Sequence, residues 1–348
     1  MRRLALCAAA ALVVAAGCSG GGSVSEGTGV STAPSSPATS AAASVPGSGS
    51  PTGSVPAPTT TVAGVTAGLA DDDVGLAAQL VSAERTIRDP AASPEAVAAA
   101  GRRQQLAYRR LGANPEWESA VTSAVPAELR GAFDANLSAT TIRRRLAEQA
   151  AAAAATAPST VPTAPPSSEP AAPVVAPTLP AWTIRAPKPS AELLGYYREA
   201  EAATGVPWPY LAAINLIETR MGRIVGVSSA GAEGPMQFLP TTWAACCKGD
   251  VWDDRDAIMG AATYLALSGA PGDMTAAVWQ YNPNEAYLEM VTRYAEVMAA
   301  DERAYFGYHA WEVFYGTAAG DVRLPEGYAA TEPIDAASYI ATHPQDRA

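Results

Sequence analysis

The residue whose position most strongly suggests chemistry is Glu218, a lone carboxylate on an apolar helical stripe. Four apolar residues recur at helical spacing on that face: Leu211, Ile214, Ile217 and Met221. Glu218 also lies in the last turn before Gly222, so desolvation and the negative end of the helix dipole both favour its protonated form. We therefore expect the pKa of Glu218 to rise, and a carboxyl group raised to roughly 6 is what protonating a glycosidic oxygen at neutral pH requires. On helix geometry alone, a buried ion pair with Arg220 or Arg223 is an equal alternative.

Two further blocks follow this helix in the sequence. The first, SSAGAEGPMQFLPTTW, begins at Ser228, and its glycines suggest close approach of the backbone to a ligand. The second is the pair Tyr281-Asn282, at a predicted helix end before Pro283. With Glu218, these blocks resemble the lytic transglycosylases of the lysozyme superfamily. The resemblance covers about 190–298, and the membrane-bound lytic transglycosylase B-like branch, in its actinobacterial lipoprotein form, is the most similar.

The resemblance implies a site and a reaction. Glu218 would act first as acid and then as base, cleaving the bond between N-acetylmuramic acid (MurNAc) and N-acetylglucosamine (GlcNAc) and leaving a 1,6-anhydro-MurNAc end. The implied substrate-binding residues are Ser228, Met236, Gln237, Tyr281 and Asn282. Tyr281 would lie near the carboxyl, and Asn282 would steady its loop. Many relatives have Ser where this chain has Thr219, which keeps the hydroxyl. No cofactor or metal is implied.

Two rival functions stay open from the sequence. A muramidase would hydrolyse the same bond and would need a second carboxylate, for which Asp250 and Asp256 are the nearby candidates. Both are better interpreted as turn and cap residues. An inactive peptidoglycan-binding lipoprotein is the other alternative, although it would not need Glu218. Three aromatic residues near the predicted groove are more typical of a core than of sugar stacking: Trp243, Trp279 and Tyr264.

The N-terminal residues contain a targeting signal that predicts a location in the cell envelope. Arg2 and Arg3 precede an apolar run over 4–15 that is short for a membrane span. The small residues Ala15-Ala16-Gly17 before Cys18 resemble a bacterial lipobox. This implies a signal peptide over 1–17, lipid on Cys18, and a location at the outer face of the cytoplasmic membrane. An incidental cysteine after an ordinary signal peptide is the alternative.

Charge and cysteine content argue against nucleic-acid-binding and metal-binding functions. The formal net charge is −11 and no long basic stretch occurs, which argues against nucleic acid as a partner. Cys246 and Cys247 are adjacent, and the chain has only two histidines, His309 and His343. These are too few well-spaced ligands for a metal site. The cysteine pair is predicted either as reduced thiols or as a vicinal disulfide.

Composition divides the remaining chain into five segments. Residues 18–70 are rich in Ser, Thr, Gly, Pro and Ala, which predicts a disordered tether spanning roughly 40 Å. Residues 71–150 show helical periodicity and predict a small helical region, with cell-wall protein partners as an alternative to a purely structural role. An Ala/Pro-rich linker over 151–181 follows. The compact transglycosylase-like domain covers 182–300, and a C-terminal extension over 301–348 carries a hairpin.

The predicted fold is therefore mainly α, with a lysozyme-like helical catalytic domain. Ser190 is predicted to cap a helix that stops at Gly205, and Pro209 to open the next one. Asp253 or its neighbour Asp254 and, further on, Asp273 are predicted to cap two more helices. A last helix covers about 284–298. The segments 311–315 and 322–324 flank a Gly-rich turn and predict a β-hairpin.

Overall fold

A computed structural model of the chain describes residues 66–142 and 177–348. The predicted signal peptide, the lipidation site Cys18, nearly all of the tether and most of the Ala/Pro-rich linker lie outside these residues. The described residues all belong to one compact unit. None of the helices described in it is long and apolar enough to cross a membrane.

The predicted mainly α fold is confirmed. Twelve helices are described: α1 Asp73–Arg88, α2 Pro94–Ala113, α3 Glu118–Ala124, α4 over 130–142, α5 Ser190–Thr204, α6 Trp208–Thr219, α7 Pro240–Cys246, α8 Asp254–Leu267, α9 Met274–Tyr281, α10 Glu285–Ala300, α11 Arg303–His309 and α12 Ala336–Thr342. Short 3₁₀ turns cover Pro115–Trp117, Ala127–Leu129 and Pro344–Asp346.

Strands are few and short in the described chain. They are β1 Thr178–Leu179, β2 Thr183–Ile184, β3 Ile224–Val225, β4 Val313–Thr317, β5 Gly320–Leu324 and β6 Ile334–Asp335. All pair antiparallel, as β1 with β6, β2 with β3 and β4 with β5. The last pair is the predicted C-terminal hairpin, with Val313 opposite Leu324.

Most of the predicted helix boundaries hold. The side chain of Asp253 accepts hydrogen bonds from the first turn of α8, and that of Asp273 caps α9. Gly205 ends α5 in the left-handed conformation, with a φ of 78°. The predicted cap at Ser190 is wrong. Ser190 is the first residue inside α5, and Pro189 holds the cap position, where it offers no side-chain acceptor.

Helix α6 lies at the centre of the largest hydrophobic core. It packs against α5, α8, α10 and α11, and every residue from Leu211 to Thr219 is buried. The sequence pattern predicts one apolar face, whereas the structure surrounds the helix on all sides. Its other face carries Ala212, Ala213 and Leu216, which explains why a helix apolar almost all round takes a fully buried place. Glu218 therefore lies in the core, on a helix whose residues from Leu211 to Thr219 are all shielded from solvent.

The N-terminal helices pack against the C-terminal half of the chain. Gln105 on α2 exchanges two hydrogen bonds of 2.8 Å with the backbone of Glu312. The indole of Trp311 donates to Gln104 at 3.1 Å. Gly101 lies so close to α11 that a Cβ there would fall 2.3 Å from the carbonyl oxygen of Gly307. The α2 helix and α11 therefore meet backbone to backbone, which fixes the geometry of this junction.

Candidate active site

Glu218 is 2% exposed in the last turn of α6. Burial raises the pKa of its carboxyl from 4.5 to about 8, and the phenol of Tyr287 lowers it by a smaller amount. The predicted rise in the pKa of Glu218 is thus confirmed, and its value lies above the roughly 6 that proton donation at neutral pH requires. Within the described residues no ion pair joins Glu218 to Arg220 or Arg223, whose guanidinium groups instead donate to the carbonyl oxygens of Leu216 and His309. The alternative of a structural ion pair is wrong.

Tyr287 is the polar neighbour of this carboxyl that the sequence analysis missed. It is fully buried in the first turn of α10, where Asn284 caps the helix by accepting from the Tyr287 amide at 3.0 Å. The Tyr287 hydroxyl and Oε1 of Glu218 are both buried, and neither has a hydrogen-bond partner among the residues described. Because Tyr287 still acts on the pKa of Glu218, the two groups lie near each other, and each keeps a hydrogen-bonding capacity that a polar ligand could use.

The hydroxyl of Thr219 joins the end of α6 to the loop that follows it. It donates to the carbonyl oxygen of Pro235 at 2.6 Å and accepts from the Gly222 amide at 3.1 Å. The amide of Asn215, one turn earlier, donates to the same Pro235 oxygen at 2.9 Å. The hydroxyl of Tyr197 in turn donates to Asn215 at 2.8 Å. These buried bonds hold the loop beside Glu218, which gives the hydroxyl after the glutamate a structural role.

Two glycines of this loop adopt positive φ angles, and one of them packs against the protein's own backbone. Gly234 has a φ of 75°, and a Cβ there would fall 1.9 Å from the carbonyl oxygen of Val251. Gly231 has a φ of 81° with open space around it. Ser228 closes the same turn, since its hydroxyl accepts from the Ala232 amide at 2.9 Å. The close backbone approach that the glycines suggest therefore occurs at Gly234, against protein rather than against a ligand.

Gln237 and Met236 occupy different environments. Gln237 is 6% exposed and its amide donates to the carbonyl oxygen of Gly234 at 2.9 Å. Met236 is fully buried in the core, and its carbonyl oxygen accepts from the Tyr281 hydroxyl at 2.6 Å. The side chain of Met236 thus packs the loop onto the core. A contact between Met236 and sugar stays a prediction that this burial disfavours.

Left-handed backbone conformations gather around the site. Three non-glycine residues of the described chain have a positive φ, and all flank Glu218 or its loop: Arg220 at 54°, Met221 at 60° and Gln237 at 52°. Such conformations cost on the order of 1–3 kcal/mol each and persist where the surroundings enforce them, often at functional sites. The strain therefore coincides with two of the three sequence blocks that carry the family resemblance.

An aromatic cluster around Phe238 includes Tyr281, the predicted neighbour of Glu218. Phe238 makes edge contacts with Trp243, Tyr264 and Tyr281 at centroid distances of 5.2, 6.2 and 5.6 Å. Burial raises the pKa of Tyr281, and the charge of Glu218 raises it further, which places the two side chains near each other. Trp243 and Tyr264 belong mainly to packing, as predicted. Trp279 is 37% exposed and keeps a face that a sugar ring could reach.

Asn282 ends α9 and is 3% exposed. Its amide nitrogen has no hydrogen-bond partner in the described chain, while its backbone oxygen accepts from Asn284 at 2.8 Å. The residue thus shapes the turn that leads into α10 and Tyr287. Its predicted role of steadying the loop and its contact with substrate both stay predictions.

The candidate second carboxylates are committed to local turns. Asp256 accepts from the backbone amide of Asp250 at 2.9 Å, and Asp250 accepts from that of Trp252 at 2.9 Å. Cys246 and Cys247 at the end of α7 form a vicinal disulfide, which decides between the two predicted states. No group of three or more His, Cys, Asp or Glu residues in the described chain is placed to hold a metal ion.

Sequence reasoning missed Tyr287 because its pairing with Glu218 is long-range. Tyr287 and the other buried residues of α10 recur at helical spacing, which marks a buried face. That pattern does not say which helix the face meets. The hydrogen bond from Asn215 to the Pro235 oxygen could not be predicted for the same reason, because only the folded loop brings that oxygen close to Asn215.

Comparison with curated proteins finds one distant relative, the membrane-bound lytic murein transglycosylase F of Thiobacillus denitrificans (strain ATCC 25259 / T1). It is 28% identical over 129 residues, which cover 35% of this chain and 27% of that protein. The chain therefore matches about a quarter of its relative's length. No protein-family model and no solved structure matches the chain. The relative's name agrees with the motif resemblance at the level of lytic transglycosylases and does not extend to the B-like lipoprotein branch.

Proposed function

We propose that this chain is a peptidoglycan lytic transglycosylase in which Glu218 acts as the general acid and then as the general base. The observation that carries the proposal is the state of this carboxyl: it is buried, its pKa is about 8, and one of its oxygens has no partner within the described residues. At pH 7 such a group holds its proton and can deliver it to a glycosidic oxygen.

The chemistry requires one carboxyl group. Protonation by Glu218 releases the 4-hydroxyl of GlcNAc and leaves an oxocarbenium-like MurNAc, which its own acetamido oxygen can stabilise at C1. The Glu218 carboxylate then accepts the proton of the MurNAc C6 hydroxyl, and that oxygen bonds to C1. Glu218 ends protonated, as it began, and no water is consumed. The product is a 1,6-anhydro-MurNAc end.

Neighbouring side chains support this two-stage role. Tyr287 lowers the pKa of Glu218, so its phenol stabilises the carboxylate that exists between the two proton transfers. The Thr219 and Asn215 bonds to Pro235 hold the loop that carries Gln237. The side-chain amide of Gln237 donates to the Gly234 carbonyl oxygen at 2.9 Å, which orients this side chain. In this proposal these groups bind the sugar and orient it beside the Glu218 carboxyl, which is the single acid of the site.

A hydrolase would need a second carboxylate to activate water. Among the described residues, burial and Tyr287 account for the pKa of Glu218, with no contribution from another carboxylate. Asp250 and Asp256, the predicted candidates, are occupied as turn acceptors. This favours transglycosylation over hydrolysis.

The location follows as part of the same proposal. The distant relative is named as membrane-bound, and the lipobox-like sequence before Cys18 would supply a lipid anchor. We propose that the chain works from the outer face of the cytoplasmic membrane, within reach of peptidoglycan. Cys18→Ser should move the protein from the membrane fraction to the soluble fraction. Unchanged membrane association of that variant would remove Cys18 as the anchor.

The products of peptidoglycan digestion test the reaction. Purified peptidoglycan is treated with the chain lacking its first 18 residues, and released muropeptides are weighed by mass spectrometry. The proposal expects products lighter by one water than those of a muramidase control. Full-mass reducing ends would show hydrolysis instead. Pelleting of the protein with peptidoglycan, without any release, would leave only a binding role.

A further inference from the structure

A cavity of about 690 Å³ lies away from Glu218, between the start of α2, the start of α5, α11 and the C-terminal hairpin. Its apolar lining includes Ile184, Phe306, Val313 and Leu324. The N-terminal helices and the C-terminal extension both contribute to it, although the sequence assigns chemistry to neither. The mechanism proposed for Glu218 makes no use of this space.

The polar lining of the cavity carries more positive than negative groups. Arg102, Arg223 and Arg303 all border the cavity, together with two carboxylates, Glu312 and Glu326. Glu312 forms an ion pair with Arg323, at 3.5 Å. Within the chain as described, none of the three lining arginines forms an ion pair with a carboxylate. Three guanidinium groups therefore border the space without an ion pair of their own, although Glu312 and Glu326 lie close enough to Arg223 to act on its charge.

Arg223 is the most constrained of the three. One of its terminal nitrogens donates to the carbonyl oxygen of His309 at 2.9 Å, but its buried Nε has no acceptor among the described residues. Burial lowers the pKa of Arg223, and nearby Arg102 lowers it further, whereas Glu312 and Glu326 raise it. A buried guanidinium N–H without an acceptor is costly, and a ligand carboxylate would supply the missing acceptor.

The start of α5 adds a second feature that attracts anions. Ser190 and Ala191 line the cavity, and Pro189 at the cap position provides no side-chain acceptor for the first turn. Helix N-termini carry unsatisfied N–H groups and partial positive charge. His309 adds no charge of its own, because burial lowers its pKa and its Nε2 lies 2.9 Å from the Lys188 carbonyl oxygen, to which it donates.

We infer that this cavity binds a small carboxylate-bearing molecule with an aliphatic body, of the kind presented by the free C-terminus of a short peptide. The three arginines and the first turn of α5 would receive the carboxylate, while the apolar lining would contact the aliphatic part. The carboxylate could belong to a free peptide or to a peptide attached to a polymer. The inference does not depend on the function proposed for Glu218.

The probe is acetyl-Ala-Ala with a free carboxylate, titrated into the whole chain and followed by calorimetry and amide NMR. Its matched control is acetyl-Ala-Ala amide, which lacks the charge. We expect the acid to bind at least about tenfold more tightly than the amide, since charge-assisted hydrogen bonds to the carboxylate are lost. The amide signals of Ser190 and Ala191 should shift on binding. Equal binding of acid and amide, or no binding of the acid at millimolar concentration, would overturn the inference.

Variants on α2 locate the site. Arg102 is exposed at the cavity and makes no hydrogen bond in the described chain, so Arg102→Gln should leave the fold intact and weaken acid binding about tenfold. Arg103→Gln is the matched control, because the adjacent Arg103 reaches the Ala67 carbonyl oxygen instead. Equal effects of the two variants would contradict the assignment. Inorganic phosphate that competes as well as the acid would overturn the choice of ligand. Peptide-bearing muropeptides that compete better than the free dipeptide acid would identify a polymer-attached source.

Discussion

The substitution Glu218→Gln should stabilise the protein by an amount that grows with pH. The carboxyl titrates near 4.5 in the unfolded chain and near 8 in the folded protein, where burial disfavours its charge. Between these values the folded state holds a proton that the unfolded chain has released, so the stability of the parent falls as the pH rises. Below pH 4.5 this contribution is fully present, and above pH 8 it is fully lost. Gln is neutral throughout and escapes the loss.

The size of the effect follows from the two pKa values. Each pH unit between them changes the free energy of unfolding by about 1.36 kcal/mol. At pH 7 the parent has therefore lost on the order of 3 kcal/mol relative to pH 4, and above pH 8 the loss levels off near 5 kcal/mol. Other effects of the substitution, such as altered contacts of the amide, do not depend on pH and cancel when the trend is compared.

Urea unfolding at a series of pH values from 4 to 9 measures this trend. The control is Glu296→Gln, the same change at an exposed carboxylate of α10 that pairs with Arg293 at 3.1 Å. That variant should follow the parent's pH dependence within about 1 kcal/mol, because exposed pairs contribute little. If the stability difference between Glu218→Gln and the parent is constant from pH 5 to 8.5, the carboxyl does not hold its proton in the folded state.

Three other perturbations probe the same site. Tyr287→Phe removes the phenol that lowers the pKa of Glu218, so the loss of activity at alkaline pH should move to higher pH; an unchanged pH–rate profile would contradict this. Thr219→Val should lower the free energy of unfolding by about 1–2 kcal/mol, because a buried loop carbonyl and amide lose a partner, whereas Thr219→Ser should stay near the parent in the same urea titrations. Gly234→Ala places a methyl group 1.9 Å from a carbonyl oxygen and should cost about 3 kcal/mol or more, while Gly231→Ala, with a similar φ and open space, should cost about 1 kcal/mol. Equal thermal unfolding midpoints for the two alanine variants would contradict the packing at that loop.

The local features of the site could be predicted from the sequence. Helical spacing placed Glu218 on a buried face, and its burial follows directly from the neighbouring apolar residues. Capping by Asp253 and Asp273 was equally local and could be predicted, because a cap depends on residues within one turn. Ser190 shows the limit of such signals, since the preceding proline took the cap position and moved the serine into the helix.

Long-range contacts were the part that the sequence could not provide. Tyr287 reaches Glu218 because α10 packs along α6, a pairing that periodicity does not encode. Gly234 is required by the Val251 carbonyl rather than by a ligand, and Met236 turns into the core rather than toward a groove. In each case the residue type indicated a buried or constrained position. Which group it contacts depended on tertiary packing, which the sequence pattern does not encode.

The most direct test of the central claim is the initial rate of muropeptide release from purified peptidoglycan at pH 6, where Glu218 is protonated. The parent, Glu218→Gln and the exposed control Glu296→Gln are compared after circular dichroism has shown that all three are folded. Loss of the proton donor should reduce the rate by at least about 100-fold in Glu218→Gln and leave the control near the parent. A folded Glu218→Gln variant that releases muropeptides at close to the parent rate would contradict the assignment of Glu218 as the catalytic acid.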